Sequence, residues 1–191
     1  MRVVTTRLEI KPLNLEEFKA IIESRAKFER MAKCNISGFS LPDSYCAEVT
    51  EMLEKRQGLW SEKSNDYLFY TLWTMIDTDI KSIVGLFTFN GKPNAQGEVE
   101  VYFSIESPYR RKGYGYEAMR GMLKWASGSE LFKRLLVEAD FDNKAAMASL
   151  KKLGFKPIPV YDYEGTTGTS TKYYISTAKP KDIDSEELDF D

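Results

Sequence analysis

Residues 110–115, Arg-Arg-Lys-Gly-Tyr-Gly, combine basic side chains with closely spaced glycines and are well suited to binding a phosphate group. They follow a strand-like run and open a helix-like run. The first amides of a helix have no intrahelical acceptor, and the helix dipole favours negative charge at that end. Gly113 and Gly115 place no Cβ between the backbone and a pyrophosphate, while Arg110, Arg111 and Lys112 add electrostatic attraction. The segment is therefore predicted to bind an anion.

These glycines also fit other patterns. Gly113, Gly115 and Ala118 satisfy the G-x-G-x-x-[GA] pattern of dinucleotide-binding folds, but that pattern needs a strand that runs directly into the first glycine, and residues 107–112 intervene here. A P-loop is excluded because no Gly-Lys-[Ser/Thr] follows Gly113. An ordinary helix start with a solvated basic patch is the alternative without a ligand.

The composition indicates one globular domain. The chain has 191 residues, of which 42% are hydrophobic and 29% are charged, and a domain of this size needs no disulfide or structural metal for stability. The opening segment lacks the apolar run of a secretory signal, and no later run is long enough to cross a membrane, so we expect a cytoplasmic protein without a membrane partner. A net charge of −2 argues against nucleic-acid binding.

Histidine is absent from the chain, which excludes several classes of enzyme. Ser-His-Asp and Cys-His hydrolases, His-ligated zinc enzymes and histidine general bases all require it. Proton transfer is therefore left to Glu, Asp, Tyr, Cys, Lys or water. Cys34 and Cys46 form no C-x-x-C motif, so they are interpreted as free thiols rather than as a metal or redox site.

Hydrophobic spacing predicts strands and helices that alternate in the second half of the chain. A first strand at 7–13 precedes a helix capped by Asn14 and Glu17, and a second helix is predicted after Asp43. The later elements are strands from Tyr67, Ser82 and Glu98, a helix near Gly113, a strand from Leu135, a helix from Asn143 ended by Gly154, an edge strand within 155–163 and a last strand from Thr171. Residues 1–178 are expected to form the domain, and the acidic residues 179–191 a flexible tail.

Three segments together resemble the GNAT superfamily of N-acetyltransferases. Residues 98–119 (EVEVYFSIESPYRRKGYGYEAM) carry its [QR]-x-x-G-x-[GA] motif, residues 143–155 (NKAAMASLKKLGF) are similar to its later helix, and residues 5–13 (TTRLEIKPL) are similar to the branch that acetylates ribosomal-protein N-termini. The resemblance implies an α/β fold with a mixed sheet of about seven strands and helices on both faces. In that fold, strands four and five splay apart, here at the ends of EVEVYFSI and LLVEA, and the cofactor lies in the gap.

The same resemblance implies acetyl-CoA as the acyl donor, with no metal. Carried over by position, backbone groups of Phe103, Ser104 and Ile105 would contact the pantetheine arm, and Asn143 would bind the arm near the thioester. The pyrophosphate would lie in a cradle formed by Arg110, Arg111, Lys112, Gly113, Tyr114, Gly115 and Tyr116.

Two glutamates are candidates for the base that deprotonates the attacking amine. Glu100 matches a strand-four glutamate of the family, and Glu138 matches a strand-five glutamate of the ribosomal alanine acetyltransferases; we prefer Glu100. Each could instead be an ordinary polar residue of an alternating strand. Leu150 stands where many relatives have a tyrosine acid, so either Ser149, Tyr102 or Tyr116 takes that role or the CoA thiolate leaves unaided, which we expect.

The acceptor is a primary amine that the sequence does not specify further. A protein N-terminus, a polyamine, an aminoglycoside-like compound and an amino acid are all compatible. An acceptor groove could be lined by aromatic residues, although aromatic residues at strand and helix spacing more often belong to a core; they are Phe39, Tyr45, Trp60, Trp73, Phe87 and Phe89. We therefore predict an acetyl-CoA-dependent N-acetyltransferase that acts by direct attack on the thioester, as a monomer or homodimer. A silent CoA-binding sensor or scaffold and a general interaction module are the alternatives.

Overall fold

The computed structural model describes residues 1–41, 46, 50, 65–158 and 170–177, and these residues form one mixed sheet with helices on both faces. The strands are β1 (Val3–Val4), β2 (Leu8–Pro12), β3 (Leu72–Asp77), β4 (Ser82–Phe89), β5 (Glu98–Ile105), β6 (Arg134–Asp140), β7 (Lys156–Pro157) and β8 (Ser170–Ser176). The helices are α1 (Leu15–Glu23), α2 (Arg25–Met31), α3 (Tyr114–Ser129) and α4 (Lys144–Lys152), with short 3-10 turns at Asn65–Phe69 and Ser107–Tyr109.

The sheet order is β1-β2-β3-β4-β5-β6-β8-β7, and among these eight strands only the β5–β6 pair is parallel. A parallel pair needs a long crossover, which α3 supplies here. The observed strand β1, which has only two residues, brings the total to eight instead of about seven. The edge position of β7 agrees with its Pro157, since proline has no amide to donate to a further strand.

Two apolar clusters cover the opposite faces of the sheet. Leu72 belongs to a cluster with α1 and α2, whereas its neighbour Trp73 belongs to the larger cluster with α3 and α4, as expected when successive side chains of a strand alternate. On β5, Val99 and Val101 are buried on the α3 side. Glu100, Tyr102 and Ser104 therefore point to the face that carries α1 and α2.

Local sequence signals explain the helix boundaries. Asn14 accepts a hydrogen bond from the Glu17 amide at 2.9 Å while the Glu17 carboxylate accepts from the Asn14 amide, the predicted capping box. The helix predicted after Asn14 ends at Ser24, where a second helix, α2, begins. Gly154 follows α4 with a φ of +87°, a conformation that favours glycine.

The structure corrects one prediction and decides between two alternatives for another. Tyr67 begins no strand: residues 65–69 form a 3-10 turn, and β3 starts at Leu72. Trp73, Phe87 and Phe89 are buried in the core, the interpretation that the sequence favoured over a groove, with stacked and edge-to-face ring contacts.

Several predictions concern residues outside the described ranges: the helix after Asp43, the groove residues Tyr45 and Trp60, and the tail 179–191. Both cysteines are free thiols of intermediate exposure, and burial raises the pKa of Cys34. Over the described ranges, no helix is long and apolar enough to cross a membrane.

Candidate active site

A gap opens between β5 and β6 partway along both strands. Their parallel pairing runs from Glu98–Arg134 to Val101–Val137 and then stops, although β5 continues to Ile105 and β6 to Asp140. Beyond this point β5 pairs with β4 on its other side, and β6 pairs with β8. The two central strands thus separate into a fork, as the resemblance predicted for the ends of EVEVYFSI and LLVEA.

The start of α3 follows the open end of β5 by a short connection. Arg111 and Gly113 both have positive φ, of 60° and 81°, so the chain turns sharply just before the helix. The first helical bond runs from the Glu117 amide to the Gly113 carbonyl at 3.0 Å, which leaves the amides of residues 114–116 without a partner in the helix. Residues 110–113 are exposed. The segment therefore opens a helix shortly after a strand, as the sequence predicted, and anion binding at this turn stays a prediction.

Arg7, which directly precedes β2, contacts this turn and holds it in place. Its Nε lies 2.8 Å from the Glu117 carboxylate, and both terminal nitrogens donate to the Lys112 carbonyl at 3.1 Å. Its guanidinium also stacks 4.3 Å from the centre of the Tyr114 ring. The Arg7 amide donates to the second Glu117 oxygen at 2.7 Å. One side chain thus ties together the residue before Gly113 and the first turn of α3.

Tyr114 anchors the helix start from inside. Its ring is buried, and its hydroxyl donates to Asp77 at 2.6 Å. Burial and this hydrogen bond raise the pKa of Tyr114 to about 12, so the hydroxyl stays protonated near neutrality. Burial alone would raise the pKa of Glu117, but the donors from Thr5 and Arg7 outweigh it and lower the net value. The Tyr114 side chain is therefore an anchor, and only its backbone faces the predicted cradle.

The other predicted cofactor residues hold defined positions. Nε of Arg110 donates to the Ile105 carbonyl at 2.8 Å, so one backbone acceptor of the predicted pantetheine segment already has a donor. Phe103 and Ile105 face α3, where a Cβ on Gly115 would lie 3.6 and 3.5 Å from their side chains, while Ser104 is exposed on the opposite face.

The remaining side chains of that set make local contacts. Lys112 lies over the Tyr109 ring at 5.8 Å, and Tyr116 lies under the Lys152 ammonium at 5.1 Å. The Asn143 side chain caps α4 by accepting from the Ala146 amide at 3.1 Å. Asn143 therefore sits just beyond the end of β6, beside the fork.

Glu100 lies at the base of the fork and has three polar neighbours. One carboxylate oxygen accepts from Asn90 and from the Tyr102 hydroxyl, both at 3.1 Å, and the other lies 2.9 Å from the Lys172 ammonium. The side chain is only 12% exposed. Burial alone would raise the pKa of Glu100, but Lys172, Asn90 and Tyr102 outweigh it, so the net pKa is lowered. The carboxylate is ionised throughout the neutral range.

Glu138 follows the last paired residue of β6 and is exposed, with a hydrogen bond from Ser170. The two candidate bases therefore belong to the two arms of the fork, Glu100 inside the paired section and Glu138 just beyond it. Leu150, which stands at the position of the usual tyrosine acid, is buried in the core. Of the suggested substitutes, Tyr102 contacts Glu100, and its pKa is raised by burial and by that contact.

The sequence reading missed a buried ionic cluster that joins α2 to the end of β5. Arg25 contacts Glu29 at 2.9 Å and also Glu106, the residue that follows Ile105. Ser37 donates to Glu29 through its hydroxyl at 2.6 Å and its amide at 3.0 Å. Burial raises the pKa of Glu106 although Arg25 is close. The i,i+4 spacing of Arg25 and Glu29 could have indicated their ion pair from the sequence. No local pattern could have added Glu106, which is far away in the sequence.

Comparisons with known proteins agree on one family and one fold. A family model described as "Acetyltransferase (GNAT) domain" matches residues 7–156. The uncharacterized N-acetyltransferase YjdG of Bacillus subtilis (strain 168) is 33% identical over 93 residues, which cover 49% of this chain. The match spans 55% of that protein's length, so the chain aligns with about half of this curated relative.

Two solved structures cover nearly the whole chain. The ribosomal-protein-S5-alanine acetyltransferase from Vibrio fischeri superposes with a TM-score of 0.61 at 15% identity, over 94% of this chain and 100% of that one. A ribosomal L7/L12 alpha-N-protein acetyltransferase in complex with coenzyme A superposes with a TM-score of 0.62 at 12% identity, with the same coverage. At such low identity these structures establish a shared fold.

Proposed function

Since the chain belongs to the acetyltransferase (GNAT) domain family, we propose that it transfers an acetyl group from acetyl-CoA to a primary amine by direct attack of the amine on the thioester. The observation that carries this proposal is the fork, because the β5–β6 pairing ends at Val101–Val137 while both strands continue. A slot between two strands offers backbone groups to an extended ligand, and its open end leads to the exposed turn before α3.

The pyrophosphate of acetyl-CoA is assigned to the turn at residues 110–116. The amides of residues 114–116 point out of the helix start, and Arg111 and Lys112 are exposed beside them. The pantetheine arm then follows the unpaired edge of β5 at Phe103, Ser104 and Ile105. Asn143, at the end of the other arm, is placed to contact the same ligand from the β6 side.

Glu100 is assigned as the base. An amine with a pKa near 10.4 is neutral in only about 1 molecule in 2,500 at pH 7, which corresponds to roughly 4.6 kcal/mol. A carboxylate at the fork can accept that proton directly or through water. Glu100 is favoured over Glu138 because it is nearly buried at the base of the fork, whereas Glu138 is exposed. The CoA thiolate leaves without a protein acid, in keeping with the apolar Leu150.

Thiol release and CoA binding together test this function. The purified chain is offered acetyl-CoA with one amine at a time, from a panel of a peptide with a free N-terminus, a polyamine, an aminoglycoside and an amino acid, and released thiol is measured. CoA affinity is measured separately by calorimetry. We expect CoA to bind and at least one amine to be acetylated. Binding without turnover on any amine would point to a CoA sensor, and absence of binding would refute the site itself.

A further inference from the structure

Lys172 lies across β6 from Glu100, at the level where the fork opens. On β8 it is the register partner of Glu138, which directly follows Val137, the last β6 residue paired with β5. Neighbouring strands are about 4.8 Å apart, so β8 and β5 are separated by about 10 Å with β6 between them. The Lys172 ammonium nevertheless lies 2.9 Å from the Glu100 carboxylate. It must therefore lie over β6 at the base of the fork.

The position of Lys172 matters because its side chain ends in a primary amine, the same chemical group as the proposed acceptor. Asn90 and Tyr102 share one Glu100 oxygen, and Lys172 lies beside the other. An external acceptor amine that gives its proton to Glu100 would approach that same oxygen. The Lys172 side chain is half exposed, which leaves it room to change rotamer. The chain thus holds an amine of its own at the place where its substrate amine would be expected.

We propose that Lys172 is an internal acetyl acceptor, modified by the protein's own active site when acetyl-CoA is bound and no external amine is present. This inference rests on the proposed function, since it places the thioester in the fork. It goes beyond that function because it assigns a modification site within the chain and a competition between this site and the acceptor.

The step balances with the groups at the fork. One ammonium proton of Lys172 passes to the Glu100 carboxylate, and the neutral Nζ forms a bond to the thioester carbonyl carbon. The carbon–sulfur bond breaks, the electron pair leaves with CoA as thiolate, and the second proton lost from Nζ ends on that thiolate or in water. The products are N-acetyl-Lys172 and free CoA. Glu100 returns its proton to solvent.

Acetylation of Lys172 would also change the charge and the shape of the site. An acetylated lysine has no positive charge and a bulkier end group, so Glu100 would lose its ionic partner. The group would also occupy the approach to the fork. Modified chains are therefore expected to acetylate external amines more slowly.

Lys92 provides a matched internal control. Like Lys172 it is paired with a carboxylate, Asp66, and the exposed fractions of the two lysine side chains are similar, 42% and 50%. The carboxylate partner raises the pKa of both lysines, which slows uncatalysed acetylation of each. Lys92 lies in the β4–β5 turn, and its carboxylate partner is Asp66 rather than either candidate base. A difference in acetylation rate between them therefore reports on the active site.

The experiment incubates the full chain with acetyl-CoA alone and follows acetylation of individual lysines by peptide mass spectrometry. We expect Lys172 to be modified at least tenfold faster than Lys92, and Glu100→Gln to remove the difference. Excess CoA should suppress modification of Lys172 and leave Lys92 unaffected. Equal rates at the two lysines, or a Lys172 rate that neither Glu100→Gln nor CoA lowers, would overturn the proposal. Turnover on an external amine without modification of Lys172 would refute this inference and leave the proposed function intact.

Discussion

The turn before α3 and the base of the fork are both parts of one candidate site, but they are held in different ways. The turn is braced from behind by Arg7, Tyr114, Asp77 and Glu117, through a buried Tyr114–Asp77 hydrogen bond and a partly buried Arg7–Glu117 contact. At the fork, Glu100 and Lys172 meet through an ion pair whose lysine is half exposed. A rigidly held turn is suited to the pyrophosphate of the cofactor, which is the same in every turnover. The Glu100–Lys172 ion pair can open, which is suited to a position that an acceptor amine must enter. Under the proposed function, the turn is the binding half of the site and the base of the fork is its reacting half.

The largest effect is expected at the reacting half, from Glu100→Gln. The variant keeps the shape and part of the hydrogen bonding but cannot accept a proton, so turnover should fall by about 10²- to 10⁴-fold near pH 7. CoA affinity should hardly change. Raising the pH should partly rescue turnover, since more of the amine arrives neutral, and the rescue should begin at lower pH for an α-amine than for a lysine-like amine.

Glu98→Gln is the matched control, because Glu98 shares the strand face with Glu100 and also has an ionic partner, Arg134. It should keep nearly full turnover. If Glu100→Gln stays active while Glu138→Gln loses activity, the base belongs to the other arm of the fork. If neither substitution matters, the amine is deprotonated without a protein base.

The next effect concerns the binding half, from Gly113→Val. Gly113 has a φ of +81°, which a branched side chain tolerates poorly, and its backbone is assigned to the pyrophosphate. We expect the KM for acetyl-CoA to rise at least tenfold. Gly91→Val is the control, since Gly91 has a similar φ of +76° with open space around it. If the folded Gly113→Val variant binds CoA as well as the Gly91→Val variant, the cradle is placed wrongly.

A smaller effect is expected from Arg7→Gln, which loosens the turn without touching the ligand. The variant loses the partly exposed ion pair with Glu117 and the contacts with Lys112 and Tyr114. If about 1 kcal/mol of this support is felt at the ligand, the CoA dissociation constant should rise about fivefold. Turnover at saturating acetyl-CoA and the KM for the amine should stay unchanged. Arg2→Gln removes the exposed Arg2–Glu9 pair and should alter neither. A drop in thermal stability with normal CoA affinity would make Arg7 a purely structural residue.

Sequence reasoning succeeded where a contact is local. The Asn14 capping box, the helix that starts after Asn143 and the Gly154 that follows α4 all depend on residues within a few positions of one another. Helical and strand periodicity therefore placed β5, α3, β6 and α4 correctly. The fork was predicted through the family resemblance, since no periodicity shows where two strands stop pairing.

Sequence reasoning failed where a contact depends on the order of strands in the sheet. Arg7 and Glu117 are 110 residues apart and meet only because the β2 end of the sheet lies beside the start of α3. Lys172 reaches Glu100 only because β8 follows β6 in the sheet, which the sequence pattern does not reveal. For the aromatic residues at strand spacing the sequence favoured a core over a groove, and their burial in the structure confirms it.

The smallest expected effect is the salt dependence of CoA binding. It distinguishes the contribution of the exposed basic residues of the turn from that of the helix amides and the Arg7–Glu117 contact behind them. Residues 110–113 are exposed, so their attraction for phosphate is screened as the Debye length shortens from about 10 Å at 0.1 M salt to about 3 Å at 1 M. CoA affinity should therefore weaken by about two- to threefold over that range. The oriented amides and the Arg7–Glu117 contact, whose glutamate side chain is only 16% exposed, are screened less and should preserve the remainder. Calorimetry at several salt concentrations measures this slope, and Lys112→Gln should flatten it. A dissociation constant that does not change with salt would mean that the basic side chains contribute nothing and that backbone amides alone bind the phosphates.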